Sequence, residues 1–129
     1  MKTLRISIYV FALLLAIISW SYAIDIFFKN STGDLINEVE QIETSTKNLN
    51  WNESIENFKA FKGNWENRKK SYLKLIEHVQ IDSIHQSILI LENHLRNQNA
   101  QKSILEIDTL KYSIKNIHES NKLSIKNIL

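Results

Sequence analysis

A run of 19 consecutive residues without a formal charge, from Ile6 to Ile24, constrains this chain more than any other feature. At ~1.5 Å per residue, a helix over this run is roughly 28 Å long, close to the ~30 Å hydrocarbon core of a bilayer. Aromatic rings that favour the headgroup layer follow near its end: Trp20, Tyr22, Phe27 and Phe28. The sequence therefore predicts a transmembrane anchor over residues 1–28, with the lipid bilayer as the partner of residues 6–24.

The charges before the run predict its orientation. Lys2 and Arg5 favour a cytoplasmic N-terminus, which makes the chain a single-pass protein of the cell membrane with an extracytoplasmic body. The alternative is a secretory signal peptide, because Ser21 and Ala23 supply the small residues that signal peptidase requires. Cleavage after Ala23 would give a secreted body instead of an anchored one. Both alternatives export the residues that follow.

Composition limits what the exported body can be. The chain has 129 residues with no Pro, no Cys and only two Gly, which favours one small helical domain and excludes disulfides and thiolate metal sites. Of its 16 Lys and Arg, Lys2 and Arg5 precede residue 25, which leaves 14 cations against 14 Asp and Glu. A neutral body gains little from counterion release, so we do not expect a nucleic acid partner.

The body is predicted to form an antiparallel helical bundle. After a short juxtamembrane linker at residues 29–33, apolar residues recur at intervals of three and four through residues 34–129. Gly33 could break the helix in this linker, or the membrane helix could continue through it, because a single Gly costs only ~1 kcal/mol. Short turns are expected at residues 49–50, 79–81 and 97–99, which makes consecutive helices antiparallel neighbours. Residues 122–129 are expected to dock on the bundle as a C-terminal tail. The predicted fold is therefore all-α, with an N-terminal transmembrane helix followed by a bundle of about four amphipathic helices.

The second predicted helix, from Asn50 to about His78, carries an aromatic stripe. Its members are candidates for contact with a partner or a ligand: Trp51, Phe58, Phe61, Trp65 and Tyr72. Helical spacing, and apolar stripes on the neighbouring helices, favour the alternative that these side chains form the core. Lys62 and Lys69 interrupt the stripe and are expected to extend their ammonium groups outward.

The sequence contains no recognisable catalytic or metal-binding pattern. His78 and His85 would share a helix face only if no turn separated them, and the chain has no H-E-x-x-H pair and no Cys. Glycine occurs only at positions 33 and 63, so phosphate-binding loops and nucleophile elbows cannot form. We expect no enzyme activity, no cofactor and no metal. Glu38 and Glu43, like the run Arg68-Lys69-Lys70, are expected on solvated surfaces.

Residues 48–71 resemble residues 97–120 at an offset of 49 positions. Identical pairs include Asn48 with Asn97, Asn50 with Asn99, Ser54 with Ser103, and Ile55 with Ile104. The offset does not fit the tetratricopeptide period of about 34 residues. Two explanations remain at this stage: two helices with similar caps and stripes, or a true helical repeat.

The ordered features resemble a family of short proteins of spore-forming Firmicutes, classed only as a domain of unknown function. The features that carry the resemblance are the charged start with its apolar span, Asn50-Trp51, Trp65 with Lys69, Glu77-His78 with Asp82, and the terminus Leu123–Leu129. Unlike the family pattern, no proline follows Ile117 here. The resemblance implies a membrane-anchored, all-helical protein and supplies no catalytic residues.

The expected function is that of a non-enzymatic, membrane-anchored accessory or interaction protein of the bacterial cell envelope. Its expected partner is another membrane or envelope protein, or a second copy of itself, because anchoring raises the local concentration of weak contacts. The alternative is a secreted bundle, cleaved near Ala23, that binds a small apolar or lipid-like ligand between Trp51, Phe58 and Trp65.

Overall fold

The computed structural model describes the backbone of residues 1–128 and the side chains of residues 1–119. Over this part of the chain the fold consists of four helices without strands: α1 (Lys2–Lys47), α2 (Trp51–Tyr72), α3 (His78–Arg96) and α4 (Ala100–Ile128). Each helix packs against two others, in the cyclic order α1, α2, α3, α4. The short turns make consecutive helices antiparallel. The prediction of an all-α fold with a long apolar first helix and a helical bundle is confirmed.

Helix α1 has two parts with different surroundings. Its 46 residues make one continuous helix about 69 Å long. Large apolar side chains from Leu4 to Tyr22 are exposed, and this part is long and apolar enough to cross a membrane. From Phe28 onward, one face of the same helix is buried in the bundle. The predicted anchor and the first bundle helix are therefore one element.

The linker predicted at residues 29–33 is wrong, because the helix continues through it. Ser31 and Thr32 are buried, and the Thr32 hydroxyl donates to the Phe28 carbonyl oxygen over 2.7 Å. Such a bond satisfies the hydroxyl within the helix instead of competing with the helical backbone. Gly33 costs an α-helix only ~1 kcal/mol relative to Ala, which the packing of α1 outweighs.

The turn between α2 and α3 lies at residues 73–77, so the turn predicted at residues 79–81 is wrong. Helix α2 ends at Tyr72 because the next residues reverse direction and pack Leu73 and Ile76 against the core. Ile81, which was expected in the turn, is buried on α3. The earlier turn places His78 and His85 on one helix after all.

The other two turns, at residues 48–50 and 97–99, have the same conformation. Leu49 has φ 58° and Gln98 has φ 52°, both in the left-handed region that often ends a helix. The Asn50 and Asn99 side chains each accept a hydrogen bond from the backbone N–H three residues later. The sequence resemblance at an offset of 49 thus corresponds to two similar helical hairpins.

Helix α4 extends further than the sequence suggested. Its backbone is helical through Ile128, including residues 122–128, which were expected to form a separate tail. The absence of a proline after Ile117 agrees with this continuation. The side chains after Glu119 lie outside the described residues, so docking of the tail side chains stays a prediction.

Candidate functional site at the junction of the apolar helix and the bundle

The structure places the aromatic stripe of α2 in the bundle core. Trp65, Tyr72 and Phe61 have no exposed surface and Phe58 is 3% exposed, while Trp51 is partly buried against the same core. In this conformation the stripe presents almost no surface to a partner. A ligand chamber between Phe58 and Trp65 would require the helices to separate. Burial therefore favours the core alternative for these five residues.

Near the point where α1 leaves the bundle, aromatic and polar side chains form what we call the junction cluster, consisting of Phe28, Ser31, Trp65, Arg68 and Tyr72. The ring of Tyr72 stacks on Phe28, with centroids 5.7 Å apart and planes 17° apart. Trp65 also packs against Tyr72, with its ring centroid 5.8 Å from that of Tyr72 and the planes tilted by 42°. Stacked aromatic pairs contribute ~0.5–1.5 kcal/mol beyond their burial. The cluster therefore holds α1 and α2 together close to the apolar half of α1.

The polar members of the junction cluster bond to one another. A hydrogen bond joins the hydroxyl oxygens of Ser31 and Tyr72. Arg68 Nη1 donates to both the carbonyl oxygen and Oγ of Ser31, each over 3.0 Å, and Arg68 Nη2 lies 3.5 Å from Asp34 Oδ2. Burial raises the pKa of Tyr72 above its usual value, so the phenol stays protonated at neutral pH. These hydrogen bonds join α1 to α2.

A second polar contact ties α4 to the same end of the bundle. His118 Nε2 lies 2.9 Å from Asp25 Oδ1, and both side chains are partly buried. Asp25 is the first charged residue after the uncharged run that begins at Ile6. Helices α2 and α4 are thus both bonded to α1 within a few residues of the end of that run.

The sequence pattern does not predict the polar half of this junction. It places Ser31 in the predicted linker and Arg68 on a solvated surface. One signal was available: Arg68 is three residues after Trp65 and four before Tyr72, which places it beside the buried stripe of a helix. The pairing of His118 with Asp25, 93 residues apart, has no local sequence signal.

Two groups of three charged residues occur at positions related by the same offset of 49. Glu43 on α1 pairs with Lys47 at 3.2 Å and with Lys111 of α4 at 3.0 Å. Glu92 on α3 pairs with Arg96 and with Lys62 of α2, each at 3.2 Å. In each group a glutamate from one hairpin bonds a lysine from the other. We call these groups the two ion triads.

The ion triads correct two expectations about surface charges. Glu43 is not a fully solvated carboxylate: the hydrogen bond from Lys111 lowers its pKa. Lys62 does not simply extend into water but reaches Glu92. Glu38 is also partly buried, with Oε1 accepting a 2.6 Å bond from the Asn64 amide, and burial raises its pKa.

The histidines of the described residues do not belong to a group of three or more potential metal ligands. His78 and His85 share α3, but within the described residues no group of three or more His, Cys, Asp or Glu side chains is placed to hold a metal ion.

One comparison with known proteins gives a match. Residues 22–128 match the model of a family described as Domain of unknown function (DUF4363). The matched region begins within the apolar half of α1 and covers the rest of the bundle. No curated protein and no solved structure matches the chain.

Proposed function

Since the chain belongs to the DUF4363 family, whose description assigns no activity, we propose from its geometry that it is a non-enzymatic, membrane-anchored accessory protein of the bacterial cell envelope. The observation that carries the proposal is the division of α1 into an apolar half without burial and a half built into the bundle core. Water is an unfavourable solvent for so much contiguous apolar surface. A bilayer removes that surface from water over the required length.

The continuity of α1 gives the anchor a mechanical role. Because no linker interrupts α1 between Ile24 and Leu35, tilt or displacement of the membrane helix is transmitted directly to the bundle. The junction cluster strengthens this coupling by bonding α2 to α1, and His118 bonds α4 to Asp25. The bundle is therefore held at the membrane surface in a defined orientation, which suits a contact with another membrane protein.

The proposed topology follows from charge and aromatic positions. Lys2 and Arg5 favour a cytoplasmic start, and Trp20 and Tyr22 suit the outer headgroup layer. The body then lies outside the cytoplasmic membrane. Its partner is a second membrane or envelope protein, or another copy of the chain.

The first test is carbonate extraction of membranes combined with sequencing of the mature N-terminus. We expect an uncleaved chain that stays with the membrane. The variant Ala23→Leu removes the small residue required for cleavage and should change nothing, as should the control Ala16→Leu within the apolar run. A soluble product beginning at Ile24, converted by Ala23→Leu into a membrane-bound chain, would contradict the proposed anchor.

The second test is crosslinking in native membranes followed by mass spectrometry. We expect one repeated partner, or the chain itself, to be captured. A control chain in which residues 6–24 are replaced by an unrelated membrane span should capture the same partner if the bundle makes the contact. Recovery of monomer alone with several crosslinking chemistries would contradict an interaction role.

A further inference from the structure

The α2–α3 turn, residues 73–77, lies at the same end of the bundle as the membrane-facing half of α1. Tyr72, which precedes the turn, has its ring 5.7 Å from Phe28 and 6.4 Å from Phe27. Phe28 is four residues from Ile24, the last residue of the uncharged run, and four residues correspond to about 6 Å of helix. The turn is therefore close to the level at which α1 is expected to enter the bilayer.

The apolar residues in and beside this turn point in two directions. Leu73 and Ile76 pack against the core, as expected for a turn that closes a bundle. Leu75 is 45% exposed and Val79, in the first turn of α3, is 75% exposed. Packing within the bundle therefore covers only about half of Leu75 and a quarter of Val79.

Charge near the turn has the sign that attracts anionic lipid. Residues 66–77, which include the turn, carry a formal charge of +2 from four cations and two carboxylates: Arg68, Lys69, Lys70 and Lys74 against Glu66 and Glu77. Of the cations, Lys70 and Lys74 are exposed. The rest of residues 25–129 carries a formal charge of −2, so the turn is more positive than the body around it. Cations near a membrane surface contribute to attachment to anionic headgroups.

We propose that the α2–α3 turn is a second membrane contact, in which Leu75 and Val79 enter the interfacial layer of the bilayer that α1 spans and Lys70 and Lys74 bind anionic headgroups. This inference rests on the proposed anchoring of α1. It adds a specific consequence: the bundle touches the membrane at two places and cannot rotate freely about α1.

The absence of cysteine in the sequence allows a direct test on the full chain. Single-cysteine variants Leu75→Cys and Val79→Cys carry a nitroxide label in vesicles of phosphatidylcholine and phosphatidylglycerol. The matched control is Leu105→Cys, 63% exposed at the opposite end of the bundle, and Leu15→Cys, in the middle of the uncharged run, reports the anchor. Collision with oxygen, which partitions into lipid, is compared with collision with a water-soluble nickel complex.

We expect labels at positions 75 and 79 to show a higher ratio of oxygen to nickel collisions than the label at 105, and a lower ratio than the label at 15. If position 15 reports lipid while 75 and 79 match 105, the turn contact is overturned and the anchor remains. If position 15 itself reports water, the proposed anchoring fails.

The headgroup part of the proposal has its own test. The double variant Lys70→Gln/Lys74→Gln should shift the label at position 75 towards water in vesicles that contain phosphatidylglycerol, and leave it unchanged in pure phosphatidylcholine. Lys59→Gln/Lys102→Gln serves as the charge-matched control and should have no effect in either. An equal shift with both double variants would overturn binding of anionic headgroups by this turn.

Discussion

The two hairpins of the bundle, residues 29–72 and residues 78–121, have the same backbone arrangement but different side chains at equivalent core positions. An offset of 49 relates their turns, their helix caps and their ion triads. The same offset relates buried positions of α1 and α3: Thr32, Leu35, Val39, Ile42 and Thr46 with Ile81, Ile84, Ile88, Leu91 and Leu95. It also relates those of α2 and α4: Ser54, Phe58, Phe61 and Trp65 with Ser103, Ile107, Leu110 and Ile114.

The hairpins differ in what fills these positions. In the first hairpin, α2 contributes aromatic rings to the core, and Arg68 forms hydrogen bonds with Ser31. In the described part of the second hairpin, α4 contributes aliphatic side chains at the equivalent core positions. The aromatic hairpin is the one that continues into the apolar half of α1. The shared backbone arrangement therefore accounts for the bundle, and the junction cluster distinguishes the hairpin that is continuous with the apolar half of α1.

The largest expected effect contrasts the cores of the hairpins. Trp65→Ala removes the ring that packs on Tyr72 and should lower the free energy of unfolding by about 3–5 kcal/mol. The equivalent change Ile114→Ala removes fewer atoms and should lower it by about 2–4 kcal/mol. Denaturant unfolding of the detergent-solubilised chain, followed by circular dichroism, measures both.

Exposed Leu105→Ala is the control for the core comparison and should change stability by less than about 0.5 kcal/mol. If Trp65→Ala proves milder than Ile114→Ala, the junction cluster is not the better-packed part of the core, and the contrast between hairpins fails.

Ser54 and Ser103 occupy equivalent buried positions and should respond with opposite signs. Ser54 Oγ bonds the hydroxyls of Thr46 and Ser45, each at 3.1 Å, whereas Ser103 Oγ is buried without a hydrogen-bond partner. Ser54→Ala should destabilise the chain by ~1 kcal/mol, and Ser103→Ala should stabilise it by ~1 kcal/mol, because an unpaired buried hydroxyl is unfavourable. Denaturant unfolding curves of the two variants measure the sign of each change in the free energy of unfolding. Destabilisation of equal size by both variants would contradict the predicted difference in sign.

The ion triads predict a common response to pH. The hydrogen bond from Lys111 lowers the pKa of Glu43; burial raises the pKa of Glu92, but bonds from Lys62 and Arg96 outweigh it and the net change is also downward. A carboxyl whose pKa is lowered by folding stabilises the protein above its unfolded pKa, and that contribution disappears as pH falls through the folded value. Stability should therefore fall as the pH drops below about 4.5, the ordinary value for Glu.

Replacing the glutamate of each ion triad tests whether its charge stabilises the bundle. Glu43→Gln and Glu92→Gln should each lower stability by ~1 kcal/mol at pH 7 and by less at pH 3. The double variant should be additive if the two triads act independently. Loss of the same amount at both pH values would show that the charge of the glutamate is not what stabilises the interface.

The features predictable from sequence were those with local or periodic signals. Helical stripes indicated the bundle, and the turn at 97–99 was placed correctly from its polar residues. The prediction of a linker at residues 29–33 and of a turn at residues 79–81 was wrong, because local polarity and spacing do not show which distant side chains pack on a segment. Ser31 is buried and bonded to Tyr72, and Ile81 is buried in the core. The Asp25–His118 contact and the ion triads required knowledge of which helices are neighbours.

The smallest expected effect concerns the turns, where the hairpins should behave alike. Leu49 and Gln98 both adopt positive φ, which is unfavourable for residues with a side chain and neutral for glycine. Leu49→Gly and Gln98→Gly should each raise the free energy of unfolding by about 0.5–1 kcal/mol, reduced in part by the greater freedom of glycine in the unfolded chain. Gly63→Ala in α2 is the control for backbone entropy, because its added methyl group meets nothing within 4 Å and it should stabilise by a similar amount. Stabilisation by one glycine variant and destabilisation by the other would contradict this prediction. It would mean that the two turns differ in backbone strain although their caps and dihedral angles match, so that the similarity of the hairpins does not extend to the energetics of their turns.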